Sequence, residues 1–397
     1  MKKLKVLLLL PLSFALIFTG CSEQKPVPQV IVEPIIEQPT AEKAEEVATE
    51  PEDIPPAEGM VRSRLTNEWI DEEQNNSRPI AVMIPNSNTA SQYGISDADI
   101  LYEINVEGDM TRLMAIIDNW QDKEKIGNIR SGRDYFTYWS FEWDSIFIHY
   151  GGPFYIYDVI GRQDTDNIDC ISQPDIGKYN NAYTDLTYRD QAKSDSDNAF
   201  TSAERIKDAC NKLGISLEYR EGYSDPDHFK FASEDTPNTL SQYPDAFKAD
   251  RIDFSEAYPM TNTYFIYDSE SGLYERYQHL QKGADEPHVD LANNEQLKFK
   301  NILVQNTYYE VRDQKGYLAF RCHDTTHDGW YFTNGKGIHV TWEKKSDYGA
   351  TRYYDDKGNE IEINTGKTMI CIVEEDDSIL VDGKVYKGSP AKKASNK

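Results

Sequence analysis

Cationic residues are scarce in this chain. Its 397 residues include 42 Lys plus Arg against 68 Asp plus Glu, a formal charge of −26. A phosphate backbone needs a basic face, so this balance excludes general nucleic-acid binding. Long apolar runs are absent after the first twenty residues, and mean hydropathy is −0.69. That excludes a polytopic membrane protein. Cysteine occurs five times and never as Cys-x-x-Cys. No Gly-x-Ser-x-Gly elbow or Gly-rich phosphate loop occurs either, so the common nucleophile and nucleotide motifs are missing. Aromatics are plentiful, with 26 Tyr, 15 Phe and 6 Trp, which argues against a chain disordered throughout.

The N-terminus carries an address. Lys2, Lys3 and Lys5 precede an apolar run from Val6 to Phe18. The run has the length of a signal-peptide core and is too short for a comfortable membrane span. It ends in Phe18-Thr19-Gly20-Cys21, small residues before a cysteine, as in a lipobox. The expectation is cleavage before Cys21 and acylation of that residue. The mature protein then hangs from the outer face of the plasma membrane, each buried methylene contributing about 0.8 kcal/mol. Export frames the other cysteines, Cys170, Cys210, Cys322 and Cys371. They allow two disulfides or four buried thiols.

Residues 22–60 hold seven prolines and ten acids against two bases. Such a stretch buries too little apolar surface to offset its chain entropy and reads as a disordered tether. The expected organisation is therefore a signal peptide over 1–21, a linker over 22–60, a mixed α/β domain over 61–248, a mostly β domain over 249–388, and a polar tail over 389–397. In the first domain, Ile80 to Ile84, Ile100 to Val106, Leu113 to Ile117 and Ser145 to Tyr150 read as strands. Asp134 to Trp143 has aromatic residues at near-helical spacing. Thr201 to Leu213 has a helix-capping pattern with Gly214 just beyond. In the second domain, short β-rich runs recur between turns, among them Tyr264–Tyr267, Ile338–Trp342, Ile361–Ile363 and Met369–Val373. The expected class is α+β.

Glu103, Glu107, Asp109 and Arg112 fall within ten residues, and Arg130 and Arg133 follow another short apolar stretch. Arginine presents a rigid donor fork suited to phosphate or carboxylate. These six residues are the candidate ligand site. The alternative is an ion-pair network that fixes the fold. Cys322-His323-Asp324-Thr325-Thr326-His327-Asp328 places two histidines four apart, but in β-rich surroundings that reads as a polar turn, so no metal site is expected. Tyr135, Phe136, Tyr138, Trp139, Phe141 and Trp143 read as core rather than as a sugar platform. No cofactor is implied.

The runs Arg78 to Ile84, Ala98 to Glu103, Val106 to Gly108 with Thr111-Arg112, Ile126 to Arg133 and His149 to Gly152 resemble the YerB family of Gram-positive lipoproteins. Tyr274-Glu275-Arg276, His288 to Asp290, Asn301 to Val304, Thr341 to Lys344 and Gly366-Lys367-Thr368 extend the resemblance through the β-rich region. It implies a two-domain lipoprotein whose biochemical activity is not established. The chain departs from the family pattern at Ala90-Ser91-Gln92, which lacks an Arg, and at Ser196-Asp197-Asn198, which lacks a His, so no role resting on either carries over. Gly132-Arg133-Asp134 is a partial likeness to the Pro-Arg-Asp signature of LytR-CpsA-Psr transferases. The leading expectation is a lipid-anchored surface lipoprotein that binds an envelope protein, polymer or ligand without catalysis. The alternative is an envelope enzyme or carrier for a phosphorylated lipid or wall polymer.

Overall fold

The structure is a computed structural model that describes residues 53–171, 182–190, 198–279 and 286–389. Cys21, most of the tether, Ser196-Asp197 and the tail beyond Ser389 lie outside these. No described helix is long and apolar enough to cross a membrane. The described residues from Ile54 onward belong to one compact unit.

Its centre is an 11-stranded mixed sheet. In chain order the strands are β1 (Ile80–Asn86), β2 (Ile100–Asn105), β3 (Thr111–Ile117), β4 (Ile146–His149), β5 (Asn167–Asp169), β6 (Phe247–Lys248), β7 (Asn301–Thr307), β8 (Asp324–Thr333), β9 (Lys336–Lys344), β10 (Arg352–Tyr354) and β11 (Thr368–Glu374). Across the sheet the order is β6-β9-β8-β7-β11-β2-β3-β1-β4-β5, with β10 on β9. The two halves of the chain meet at β2 and β11, which run parallel with Glu103 opposite Cys371. Strands from both halves of the chain thus share one sheet.

Both faces of that sheet are covered. One face, with Val82, Leu101, Leu113 and Val304, packs on helix α2 (Ala203–Leu213) and on a seven-stranded second sheet that contributes Phe265 and Phe299. The other, with Met83, Tyr102, Met114 and Leu303, packs on the aromatics of helix α1 (Asp134–Phe141). Every residue of β1, β2, β3 and β7 is therefore buried. This is why Ile80 to Ile84 reads as an unbroken apolar run and Ile100 to Val106 alternates only weakly. After Leu213 every regular element among the described residues is a strand. The class is α+β, with a mixed N-terminal half and an all-β C-terminal half.

Local chemistry sets the boundaries. Asn334-Gly335 joins β8 to β9 with φ of 50° and 70°, the left-handed pair that a tight hairpin requires. Helix α2 starts one residue later than expected. Its cap is Ser202, which accepts from the Arg205 amide, whereas Thr201 ends a strand and donates to the Leu186 carbonyl. Gly214 closes it at φ 71°. The aromatic block is core, with only Tyr138 half-buried. Ile361–Ile363 does not form a strand; Ile363 makes only an isolated bridge to Phe231. Cys170, Cys210, Cys322 and Cys371 are buried free thiols, and burial pushes the Cys210 thiol up to about 12.

Polar groups enter the core in paired clusters, although Arg276 Nε and Asn86 Oδ1 have no partner among the described residues. Glu103 and Arg276 are fully buried, with Arg276 Nη2 2.7 Å from Glu103 Oε2. The other carboxylate oxygen accepts from Asn86 Nδ2 (2.9 Å), Thr111 Oγ1 (2.7 Å) and Thr263 Oγ1 (3.1 Å). Breaking such a pair from one side strands a buried charge. Arg276→Met is expected to lower unfolding free energy by roughly 3–5 kcal/mol, and Glu103→Gln in the same chain to recover much of that loss. Urea denaturation of the two single variants and the double variant checks it. Additive losses would show that the two groups do not depend on each other.

A second pair, the buried Asp118 and the half-buried Asp99, gives a pH signature. Burial and then the Asp99 charge push Asp118 up to about 7. Burial pushes Asp99 up to about 6. The folded state therefore binds more protons than the unfolded state from about pH 4 to about pH 7, and the pair costs stability as pH rises through that window. Asp118→Asn removes the charge. Its gain in melting temperature over wild type should be larger near pH 7.5 than near pH 5. An equal gain at both would mean that the carboxyl titrates normally.

Candidate functional site

The tight turn between β2 and β3 uses Gly108 at φ 75° and Asp109 at φ 56°. It sets Glu107 at the end of β2 and Arg112 near the start of β3. Arg112 stands opposite Pro85 of β1 and Ile104 of β2. The segment Arg130–Arg133 runs beside the second half of β1 and past the carboxyl end of β4: the Arg130 amide donates to the Met83 carbonyl, and the Arg130 carbonyl accepts from the Tyr150 amide. Gly132 is held there because a Cβ would sit 2.8 Å from Ile156 and 3.1 Å from Phe147. In open sheets, ligands tend to sit outside such strand ends.

Of the six candidates, five gather here. Arg133 forms a two-pronged pair with Glu107, Nε to Oε2 at 3.0 Å and Nη2 to Oε1. The Arg133 charge and hydrogen bonds hold the Glu107 carboxyl below its usual range despite partial burial. Arg133 also lies 5.7 Å from the Tyr317 ring. Arg112 is buried, and its Nη1 donates to the Ser131 carbonyl. Its Nε has no partner among the described residues. Burial, and after it the neighbouring Arg133 charge, pull its guanidinium down to about 9, with Arg130 adding to the repulsion and Glu107 opposing it. Arg130 is half-buried and engaged. Asp109 is exposed on the turn.

Glu103 is the exception. It points into the seam between the sheets and belongs to Arg276, 173 residues away. Sequence spacing gave no partner for it, although Arg276 stands in one of the runs that carry the family resemblance. The acidic neighbours of Glu107 and Asp109 were also missed. Both line a cavity of about 430 Å3 together with Asn105, Glu256, Glu374 and Asp377. Burial, then Glu374, push Asp377 up to about 7. These carboxylates come from three distant stretches, and only the fold assembles them.

The two histidines of the Cys322–Asp328 segment face different partners. His323 Nε2 lies 2.9 Å from Asp347, and His327 Nε2 lies 2.7 Å from Asp324. Among the described residues no group of three or more His, Cys, Asp or Glu is arranged to hold a metal ion. Asp134, in the Gly132-Arg133-Asp134 run, is paired with Arg312.

Comparison with known proteins agrees with this architecture. The chain is 25% identical over 334 residues to YerB of Bacillus subtilis (strain 168), a protein named as a proposed lipoprotein; the match covers 83% of this chain and 91% of that one. The crystal structure of the Bacillus subtilis YerB protein superposes with a TM-score of 0.65 at 23% identity, covering 81% of this chain and 99% of that one. The profile described as "Protein of unknown function (DUF3048) N-terminal domain" matches residues 65–216, and its C-terminal counterpart matches residues 252–370. The chain belongs to the DUF3048 family and carries both of that family's domains.

Proposed function

We propose that this protein is a lipoprotein, anchored through Cys21 on the outer face of the plasma membrane, that binds an anionic envelope ligand or partner at Arg112, Arg130 and Arg133 and performs no catalysis of its own. One observation carries the proposal. Arg112 is a buried cation with two cationic neighbours, and no described carboxylate lies within ion-pair distance of it. The nearest acid, Glu107, is committed to Arg133. Burial of a charge without its partner costs free energy. An anion bridging the guanidinium groups would offset that cost with charge-assisted hydrogen bonds. The carboxylates Glu107 and Asp134 are both engaged by arginines, which favours binding over a transferase role.

Inorganic pyrophosphate serves as the probe. Millimolar pyrophosphate should raise the melting temperature of the soluble domain above a chloride control of equal ionic strength, and Arg112→Gln should abolish most of that rise. The effect should shrink as salt screens the site. Equal protection of wild type and Arg112→Gln would contradict the assignment.

The anchor is supported by the lipobox and by the relative's name. Cys21→Ala should release the mature region into the medium or leave an unprocessed precursor. Membrane retention after normal cleavage would overturn the role of Cys21.

A further inference from the structure

A second cavity, of about 460 Å3, lies at the other end of the same strands. Ala98, Lys300 and Lys367 line it, just ahead of β2, β7 and β11, whereas the arginine site stands near the opposite end of β2. Seven residues of β11 separate the two ends, roughly 20 Å at strand spacing. The volume falls within the ordinary range for small-molecule sites, about 300–1,000 Å3.

The wall is divided by chemistry. Ile95, Ala98, Leu297 and Phe299 are buried and form an apolar floor, with Leu273 beside them. Lys300 and Lys367 add ammonium groups. Of the lining acids, Glu68 and Glu295 are exposed, and Lys298 is already matched by Glu275 at 2.8 Å. Lys367 donates to the Ser96 carbonyl and feels the Asp99 charge.

Lys300 is different. Its ammonium has three donors but two described acceptors, Asn334 Oδ1 at 2.7 Å and the Gly272 carbonyl at 3.3 Å. Neither acceptor carries a charge. Burial alone pulls its pKa down, with no carboxylate to oppose it. Gly366 keeps space beside it: a Cβ there would lie 3.0 Å from Lys300 Cβ. A half-buried cation without a counter-charge beside an apolar floor fits a ligand with an anionic head and an apolar body.

We infer that this cavity binds a small anionic amphiphile, its carboxylate or phosphate monoester head on Lys300 and Lys367 and its aliphatic chain on the floor formed by Ile95, Ala98, Leu297 and Phe299. The inference does not rest on the arginine site. The two head groups are distinguished by using decanoate and decyl phosphate as separate probes, with decyltrimethylammonium as the cationic control. Calorimetric titration of the soluble domain should show saturable binding of at least one anionic probe and none of the control. Lys300→Met should weaken that binding about tenfold or more, the expected loss for a charged hydrogen bond, whereas Lys300→Arg should retain most of it. Leu273→Trp fills the cavity and should block binding while Lys300 stays in place; it serves if Lys300→Met does not fold. Absence of saturable binding of either anion, equal binding of the cationic control, or unchanged binding by a folded Lys300→Met or Leu273→Trp protein would each overturn the inference.

Discussion

The ion pair between Glu103 and Arg276 is the constraint on which the architecture depends. It lies in the seam between the large sheet and the second sheet, with both side chains fully buried. A carboxylate placed there is tolerable only if all of its acceptor sites are used. That requirement explains polar residues that otherwise look misplaced in apolar strands. Asn86 and Thr111 approach from β1 and β3, and Thr263 and Arg276 from the second sheet. The Tyr258 hydroxyl lies 3.0 Å from the Glu103 carbonyl and 2.9 Å from the Ile372 carbonyl, so that its one proton bridges β2 and β11 at the same level. The two halves matched by separate domain profiles are thereby tied through one buried charge.

The arginine cluster follows a different logic. Around Glu103 every charge has its complement, whereas Arg112 has cationic neighbours and a carbonyl. Natural proteins tolerate such arrangements mainly where function requires them. An acidic chain that crowds arginines near strand ends holds them against the trend of its own composition. The adjoining cavity is lined instead by the acids Glu107, Asp109, Glu256, Glu374 and Asp377, and Glu107 belongs both to it and to the pair with Arg133.

Much of the fold was legible in the sequence because local signals were strong. The apolar run at Ile80, the Asn334-Gly335 hairpin and the Gly214 helix stop each depend on near neighbours. The boundary errors were also local. Ser202 and Thr201 are equally good caps in composition, and only the strand partner of Phe200 decides between them. Ile361–Ile363 has strand composition, yet its neighbours leave it a single bridge. The site was legible in part. The spacing of Glu107 and Arg112 around a Gly108 turn pointed to the end of β2, and Arg130 and Arg133 joined them. Glu103 looked like their companion because it is close in sequence, but alternation along the strand turns its side chain into the seam. Its partner lies 173 residues away, and Glu256, Glu374 and Asp377 of the acidic cavity are likewise distant in sequence from Glu107 and Asp109. No periodicity encodes contacts of that range.

The most direct test of the account is the stability of the free protein without Arg112. Arg133 also reaches the Ser131 carbonyl, at 3.4 Å, so that acceptor is not stranded by the change. If Arg112 is held for a ligand, Arg112→Gln should leave the unfolding free energy in ligand-free buffer unchanged or raised. A loss of about 3 kcal/mol or more would show that Arg112 is a structural ion-pair partner, and the arginine cluster would then be part of the scaffold.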